Sequence, residues 1–295
     1  MYDIAIVGAG PAGLSAAMTA RARDKSVLLV SNPANNSPLA KAQQIDNYPG
    51  MPAVSGLDLL TVMTEQAVMS GVELVNDRVI SAMTVGQAFS LTTGDDIYEA
   101  RALILALGAQ KAKPLPGEME YLGRGVSYCA TCDGMLYRGR RVIVYGLHDE
   151  AVIEANFLAD IGCDVAYIAP VAPEGLVASI DVHIGRITGI IGDALGMTSV
   201  SYRVPSRENT RTDSDQEIIE CQGIFILRPT IAPNALINGI ELLDGFIKVG
   251  NDMSTGVSGI YAAGDCIGKP FQIAKAVGEG QIAALAADEY LHKKA

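Results

Sequence analysis

Residues 2–32, YDIAIVGAGPAGLSAAMTARARDKSVLLVSN, decide the fold class of this chain. The apolar run at 4–7 is typical of a buried parallel strand, and Gly8, Gly10 and Gly13 follow it in the spacing G-x-G-x-x-G. The first glycine permits a tight turn, the second lets a pyrophosphate approach the backbone, and the third lets helix and strand pack closely. The stretch therefore predicts a strand, a turn, a helix and a second strand that together bind a dinucleotide.

The other end of the chain carries a motif that fits the same kind of ligand. A strand predicted at 259–263 is followed by Gly264, Asp265 and a helix. An aspartate at a strand end can bind a ribityl hydroxyl, and the following helix N-terminus can face a flavin carbonyl. Asp265 could instead serve only as a helix cap. The presence of both motifs in one chain favours a flavin.

Composition limits the possible partners. The chain has 295 residues, is 49% hydrophobic and carries a formal net charge of −11, so nucleic acid and anionic lipid surfaces are poor partners. It contains no apolar run long enough to span a membrane and does not begin like a signal peptide, so a cytoplasmic location is expected. Five cysteines in a chain of this length do not resemble a disulfide framework.

The segment YCATCDG at 128–134 predicts redox chemistry. Cys129 and Cys132 stand within bonding reach across a single turn, and such pairs often form reactive thiolates. Asp133 can shuttle the proton that thiol exchange must move. A zinc site would need two more ligands at short spacing, and the remaining cysteines and the three histidines are scattered, so no metal is expected. A merely structural cysteine pair is the other alternative.

Five motifs carry a family resemblance: GAGPAG (8–13), IDNYPG (45–50), LILALGA (103–109), CATCDG (129–134) and YAAGD (261–265). In order and spacing they resemble those of the low-molecular-weight thioredoxin reductases, and the resemblance covers nearly the whole chain. It implies an α/β fold with two Rossmann-like, doubly wound domains. The implied FAD-binding domain comprises 1–113 and 243–295. An inserted, smaller domain at 114–242, of degenerate pyridine-nucleotide type, carries the cysteine pair.

The resemblance also implies the site residues. Cys129 and Cys132 are the implied redox pair, with Cys132 facing the flavin and Cys129 exchanging with thioredoxin, and Asp133 is the implied proton donor. Asn47 is expected near the flavin ring. The predicted FAD-binding set is Gly8, Gly10, Pro11, Ala12, Gly13, Asn47, Gly108, Gly264, Asp265, Gln272 and Ile273.

The second glycine loop, which binds NADPH in that family, is altered here. Gly146 holds the first glycine position, but His148 stands at the second and Ala151 at the third. A side chain at the second position takes space that a pyrophosphate would need. Asp149 and Glu150 suit the dipole of a helix start, yet each would repel a diphosphate by on the order of 1 kcal/mol.

The following segment also lacks a cationic site for a 2′-phosphate. Between Val142 and Gly185 there are seven Asp or Glu residues and no Lys or Arg. A 2′-phosphate requires the charge and donors that arginine supplies. The sequence therefore predicts that nicotinamide use is lost. The chain resembles the ferredoxin-dependent flavin thioredoxin reductases, which implies ferredoxin as donor, thioredoxin as acceptor and a homodimer.

An acidic ferredoxin would need a basic patch on this acidic protein. The candidates are Arg138, Arg140, Arg141, Lys111, Lys113 and Lys269, and ordinary solvated charge explains each equally simply. Tyr290 and His292 could cover the flavin ring, or could simply form the surface of an end helix.

Three rival functions stay open at this point. An NAD(P)H-dependent thioredoxin reductase with an atypical nucleotide site is one. A non-catalytic flavoprotein redox sensor is another. A ferredoxin–NADP reductase of similar fold is disfavoured, because that activity needs the nicotinamide site and has no use for C-x-x-C.

Overall fold

A computed structural model gives the fold and describes residues 1–32, 37–94, 96–109, 114–148, 151–204, 216–228 and 233–294. The chain forms two compact units, one from Met1–Lys111 with Ala232–Ala295 and one from Ala112–Ile231. The second unit is built on a parallel sheet and the first on a mixed sheet in which β4 and β5 are antiparallel, so the predicted α/β class with two Rossmann-like units is confirmed. No helix of the described residues is long and apolar enough to cross a membrane.

The elements follow one another in this order. The first unit begins with β1 (Tyr2–Val7), α1 (Pro11–Ala22), β2 (Val27–Ser31), α2 (Gly56–Met69), β3 (Glu73–Asn76), β4 (Ser81–Val85), β5 (Ala88–Thr92) and β6 (Ile97–Leu105). The second unit contains β7 (Val126–Ser127), α3 (Ala130–Asp133), β8 (Arg141–Gly146), α4 (Ala151–Asp160), β9 (Asp164–Ala169), β10 (Asp181–Ile184), β11 (Arg186–Gly192), β12 (Met197–Arg203), β13 (Gln216–Glu220) and β14 (Gly223–Leu227). The first unit then resumes with α5 (Pro233–Leu236), β15 (Leu242–Leu243), β16 (Phe246–Ile247), β17 (Ile260–Ala262) and α6 (Ile273–Lys293).

The sheet of the first unit is organised around β6. Its strand order is β3-β2-β1-β6-β5-β4, with β17 also paired to β6. One edge of β6 pairs with β1 in parallel, while the other edge pairs with β5 in its first half and with β17 in its second half. The predicted strand–turn–helix–strand of residues 2–32 is confirmed, because β1, α1 and β2 occupy it in that order.

Small residues let α1 and α6 pack closely in the core of the first unit. A Cβ on Gly280 of α6 would overlap the carbonyl oxygen of Ala12 in α1. Ala16, Ala17 and Ala284 are fully buried in the same cluster. Because these side chains are small, the two helix backbones approach each other directly, and the first turn of α1 is fixed by contact with α6.

The second unit consists of two sheets. The larger sheet is parallel, with the order β10-β9-β8-β14-β7, and the smaller is antiparallel, with the order β11-β12-β13. The described part of α4 packs on the larger sheet through Ala151, Ala155 and Leu158. This strand–helix arrangement has the form of a nucleotide-binding unit, and β7 and β14 lie at the edge that leads to the cysteine pair.

The structure differs from two expectations about this unit. Residues 233–242 group with the first unit, although the boundary was predicted after 242, because Leu236 and Ile237 are buried there and Ile237 bridges to Ala82 of β4. In the sequence, 195–227 is typical of hairpin strands, with the polar stretch at 205–216 as an exposed turn. Its β12–β13 part pairs in this way, but β14 instead joins the parallel sheet beside β8. The predicted exposed turn at 205–216 lies almost entirely outside the described residues.

A buried ion pair stabilises the second unit where the chain enters and leaves it. Arg228, just after β14, donates two hydrogen bonds to the Glu118 carboxylate, at 2.5 and 2.7 Å. The Tyr128 hydroxyl and the Leu115 backbone N–H donate to the same carboxylate at 2.9 and 2.7 Å. Glu118 is fully buried. A buried carboxylate is tolerated only with such complete partnering, so this cluster fixes residue 128, the neighbour of the first cysteine.

We expect Glu118→Gln to lower the free energy of unfolding by about 3–5 kcal/mol, because it removes the negative partner of a buried guanidinium. Urea unfolding followed by circular dichroism measures the change. Glu241→Gln is the matched control, since Glu241 pairs with Lys248 at 2.9 Å on an exposed surface, where the loss should stay below about 1 kcal/mol. Equal effects of the two substitutions would contradict the role given to the buried pair.

Candidate active site

The cysteine pair is joined as a disulfide at the start of α3. Cys129 and Cys132 are bonded with their Cα atoms 5.4 Å apart, so the predicted reach across one turn is confirmed. Cys129 is also the N-cap of α3, and its Sγ accepts a hydrogen bond from the Cys132 backbone N–H at 3.0 Å. The turn forms because β7 ends at Ser127 and the chain then closes a single helical turn.

The two sulfur-bearing residues differ in exposure. Cys129 is 3% exposed, whereas Cys132 is exposed. The Thr131 hydroxyl lies 3.2 Å from Cys129 Sγ, and the Ala130 backbone N–H donates to the carboxylate of Glu154 on α4 at 3.1 Å. The disulfide turn is therefore held by hydrogen bonds within the turn and by one that it donates to Glu154 in the first turn of α4.

Asp133 ends the same turn, and its side chain is fixed by a serine that was not predicted as a site residue. Ser127 Oγ donates to Asp133 Oδ2 at 2.7 Å and accepts a hydrogen bond from the Cys129 backbone N–H at 3.1 Å. The structure thus brings the three predicted catalytic residues into one turn. A hydroxyl two residues before C-x-x-C is the only signal in the sequence that could have indicated this contact.

The first glycine loop has the close backbone contacts that a dinucleotide site needs. A Cβ on Gly8, where φ is +108°, would overlap the carbonyl oxygen of Ala106, and a Cβ on Gly13 would overlap that of Gly8. By contrast, the space beside Gly10 is open. Gly10 is the N-cap of α1 and supplies no side-chain cap, and Pro11 occupies the first turn. The helix therefore presents its N-terminal N–H groups to a phosphate.

The Gly-Asp motif lies against this loop. A Cβ on Gly264, where φ is +85°, would come within 2.9 Å of the Ala12 side chain. Burial raises the pKa of Asp265, nearby Lys275 opposes the rise, and Glu279 adds to it. Asp265 lies inside a 3₁₀ turn at Gly264–Ile267, whose N-cap is Ala263, and the N-cap of α6 is Gln272. The alternative that Asp265 serves as a helix cap therefore finds no support. A half-buried carboxylate of this kind suits a ligand hydroxyl.

The remaining predicted flavin residues lie in the same unit. Asn47 Nδ2 donates to Gln272 Oε1 at 2.9 Å, and Gln272 is the N-cap of α6, which begins at Ile273. Gly108 follows β6 with φ +70°. The backbone donors, the carboxylate and the amide groups of this set fit a flavin dinucleotide, because each segment offers a group suited to one part of such a ligand.

A tyrosine of the protein itself packs against the first glycine of the second loop. A Cβ on Gly146 would overlap the hydroxyl of Tyr167, which comes from β9 and is 2% exposed. The small size of Gly146 therefore accommodates Tyr167. His148 follows in the loop and its carbonyl accepts the Ala151 N–H at 3.2 Å. Asp149 and Glu150 lie outside the described residues. Tyr167 was not predicted to matter here, and its one signal in the sequence is an aromatic residue in an aliphatic strand.

The arginine at the start of β8 is already paired. Arg141 contacts Asp164 at 3.1 Å and Asp181 at 3.3 Å. Asp181 also contacts His183 at 2.9 Å. This cluster lies at the N-terminal ends of β8, β9 and β10, at the end of the sheet opposite the second glycine loop.

The other residues considered in the sequence occupy ordinary positions. Arg138, Arg140 and Lys269 are exposed, and Lys111 and Lys113 lie outside the described residues. Tyr290 packs against Gly259, and His292 is an exposed partner of Asp288 at 3.2 Å, so the end-helix explanation fits both.

The three other cysteines are buried free thiols. Burial raises the pKa of each of them, to about 12 for Cys221 and about 11 for Cys266, with a rise for Cys163 as well. They are therefore held as unreactive thiols. The part of the chain that the structure describes contains no group of three or more potential metal ligands.

Comparison with known proteins places the chain in a family. A family model described as pyridine nucleotide-disulphide oxidoreductase matches residues 2–280. The thioredoxin reductase of Aquifex aeolicus (strain VF5) is 33% identical over 313 residues, covering 100% of this chain and 94% of that protein. The thioredoxin reductase of Gloeobacter violaceus matches in structure with a TM-score of 0.79 and 35% identity, covering 99% of this chain and 95% of that chain.

A further structural match is closer than that of the Gloeobacter protein. The crystal structure of a ferredoxin-flavin thioredoxin reductase from Clostridium acetobutylicum has a TM-score of 0.84 and 40% identity, and covers 99% of this chain and 98% of that one. Both glycine-loop units, the disulfide turn and the full-length matches agree with one another. The chain belongs to the pyridine nucleotide-disulphide oxidoreductase family and, within it, to the thioredoxin reductases.

Proposed function

We propose that this protein is a flavin-dependent thioredoxin reductase that uses FAD, passes electrons through Cys129–Cys132, and receives them from ferredoxin. The observation that carries the donor assignment is the second position of the second glycine loop, where His148 stands in place of the glycine that leaves open space at Gly10 of the first loop, while the disulfide turn is complete. A redox-active dithiol in a nucleotide-type unit that has no site for a pyrophosphate needs an electron donor other than a nicotinamide.

The FAD would be held by the first unit. The backbone N–H groups at the start of α1 would bind the pyrophosphate, Asp265 would bind a ribityl hydroxyl, and the Asn47–Gln272 pair would lie toward the ring. When bound, FAD can accept electrons singly and release them in pairs, which matches a one-electron donor to a disulfide.

The dithiol would carry out thiol–disulfide exchange with thioredoxin. A Cys129 thiolate attacks one sulfur of the thioredoxin disulfide and forms a mixed disulfide. Cys132 then attacks Cys129 and releases reduced thioredoxin, so two electrons and two protons leave the enzyme. Asp133 would accept and return the proton of the attacking thiol. Because Cys129 is 3% exposed in the disulfide state, attack by this sulfur on thioredoxin requires the turn to open after reduction.

The loss of nicotinamide binding follows from charge and space together. A pyrophosphate requires open backbone at the second glycine position, which is open at Gly10 in the first loop, but His148 stands at that position in the second loop. A 2′-phosphate requires cations, and the segment from Val142 to Gly185 has none. NADH lacks the 2′-phosphate but still needs the pyrophosphate site, so binding of both nucleotides is impaired.

Ferredoxin is the donor named for the Clostridium acetobutylicum relative, and that relative supports the proposal at 40% identity. Two reduced ferredoxins would each supply one electron per thioredoxin reduced. Exposed Arg138 and Arg140, just beyond the disulfide turn, offer local positive charge on a chain of net charge −11. A cytoplasmic location and a homodimer accompany the proposal as further predictions.

Two alternatives remain tied to specific tests. An NAD(P)H-dependent enzyme with an atypical site predicts flavin reduction by NADPH or NADH. A non-catalytic redox sensor predicts a disulfide that does not exchange with thioredoxin. Flavin reduction by each donor separates the first alternative from the proposed function, and trapping of thioredoxin separates the second.

We expect anaerobic mixing with reduced ferredoxin to bleach the flavin absorbance. Mixing with excess NADPH or NADH should leave the absorbance unchanged, because the second glycine loop has no open site for a pyrophosphate. Dithionite is the control that shows the flavin to be reducible. The ferredoxin rate should fall as ionic strength rises, since screening weakens docking between opposite charges. Rapid bleaching by either nucleotide would defeat the donor assignment.

We expect Cys132→Ser to accumulate a mixed disulfide with thioredoxin, because the resolving sulfur is removed while Cys129 remains. Non-reducing gels and mass spectrometry of the linked peptides measure it. Cys129→Ser is the matched control and should trap little thioredoxin. Trapping by Cys129→Ser alone would reverse the assigned roles of the two sulfurs, and trapping by neither would favour the sensor.

We expect Asp265→Asn to weaken flavin binding by about 1.5–3 kcal/mol, because a charged acceptor for a ligand hydroxyl is lost. In the flavin-free protein the same change should raise stability at neutral pH. The folded-state pKa of Asp265 is raised, so its ionisation opposes folding as pH rises through that range, and the gain should vanish in acid.

Flavin titration and urea unfolding at several pH values check both expectations. Asp252→Asn is the control of opposite sign, because hydrogen bonds from Ser254 lower the pKa of Asp252. That variant should be slightly less stable than the parent at neutral pH, with the difference lost in acid. Full flavin retention by Asp265→Asn would contradict the cofactor role of Asp265.

A further inference from the structure

Ser127 occupies a fixed position between the two chemical groups of the dithiol turn. It is the last residue of β7, and its backbone is paired with Phe225 of β14. The side chain is 4% exposed. Its Oγ accepts the Cys129 N–H at 3.1 Å and donates to Asp133 Oδ2 at 2.7 Å. The hydroxyl therefore ties the carboxyl of Asp133 to the backbone of the first cysteine.

A second acceptor lies within reach of the same hydroxyl. The carbonyl oxygen of Cys129 is 3.3 Å from Ser127 Oγ. A serine hydroxyl has one proton to donate and two lone pairs to accept with. When Asp133 is ionised, the proton can point to its carboxylate. When Asp133 is protonated, Ser127 can accept from it and turn its own proton to the Cys129 carbonyl.

We propose that Ser127 is the positioning residue that holds the Asp133 carboxyl in place in both of its protonation states. The inference rests on the proposed role of Asp133 as the proton carrier of the dithiol. In each exchange Asp133 takes the proton of an attacking thiol and passes it to the departing thiolate. Asp133 itself therefore ends each exchange in the protonation state in which it began. A carboxyl that drifted between these steps would have to be repositioned each time.

The charged and titratable neighbours do not replace this contact. Glu154 of α4 accepts from the Ala130 N–H, and its charge is of the same sign as that of Asp133. Tyr137 has its pKa raised, first by burial and then by the charge of Asp133, with Arg140 opposing the rise. These groups interact with Asp133 only electrostatically and at a distance, whereas Ser127 donates a hydrogen bond to its carboxylate.

Substitutions at residue 127 separate the effect of the hydroxyl from the effect of side-chain shape. Thr and Val have the same shape and both favour strands, but only Thr carries a hydroxyl. Ser127→Thr keeps the hydroxyl and therefore tests whether an added methyl group alone disturbs the turn, and Ser127→Val differs from it only in replacing the hydroxyl with a methyl group. Ser127→Ala removes the group with the least steric change.

The test measures thiol reactivity in the reduced flavoprotein, without ferredoxin or thioredoxin. Alkylation of Cys129 and Cys132 by iodoacetamide is followed by peptide mass spectrometry across the pH range in which thiols and carboxyls titrate. We expect the rate–pH curve of Ser127→Ala and Ser127→Val to move in the direction given by Asp133→Asn, with rates changed about threefold to tenfold near neutral pH. Ser127→Thr should follow the parent protein.

A Ser127→Ala or Ser127→Val curve that coincides with that of the parent overturns the inference, as does a Ser127→Thr curve that departs as far as Ser127→Val. If Ser127→Ala does not fold, the comparison of Thr with Val decides the question in the same way. Failure of the proposed function is distinguishable, because a protein that ignores ferredoxin or thioredoxin still yields the alkylation curves. An Asp133→Asn curve equal to that of the parent would instead defeat the role of Asp133.

Discussion

The first unit depends on a direct approach of backbone to backbone at its glycine loop. Gly8 touches the carbonyl of Ala106, Gly13 touches the carbonyl of Gly8, and Gly280 touches that of Ala12. A side chain at any of these three glycines would separate strand from helix or helix from helix. Between these close contacts, the space beside Gly10 is open. The predicted pyrophosphate site is thus bordered by closely packed backbone.

The second unit shows the same strand–turn–helix form under different physical demands. There the glycine of the loop makes room for a buried phenol, and the arginine at the start of β8 is held by two carboxylates. Its fully buried carboxylate, Glu118, is neutralised by Arg228 and hydrogen-bonded to Tyr128 beside the disulfide. The buried ion pair therefore fixes the backbone next to the disulfide turn.

What the sequence could predict was local. The strand–turn–helix of residues 2–32 follows from apolar periodicity and glycine spacing, and the disulfide turn follows from a spacing of three. The partnership of Glu118 with Arg228 joins residues 110 apart, and sequence does not reveal which charges become buried. The parallel placement of β14 was missed because a short apolar run suits a hairpin or a central strand equally well. The boundary near 242 was misplaced because packing of Ile237 beside Ala82 is a tertiary contact.

The tyrosine that packs against the second glycine loop has a consequence for redesign of this unit. Tyr167 is 2% exposed and belongs to the core cluster that also contains Val144 and Ala155. Replacing it with a small residue would leave a cavity at a cost of about 3–5 kcal/mol, a large part of the stability of a typical domain. Any change of ligand preference engineered into this loop therefore has to keep the tyrosine and alter the residues around it.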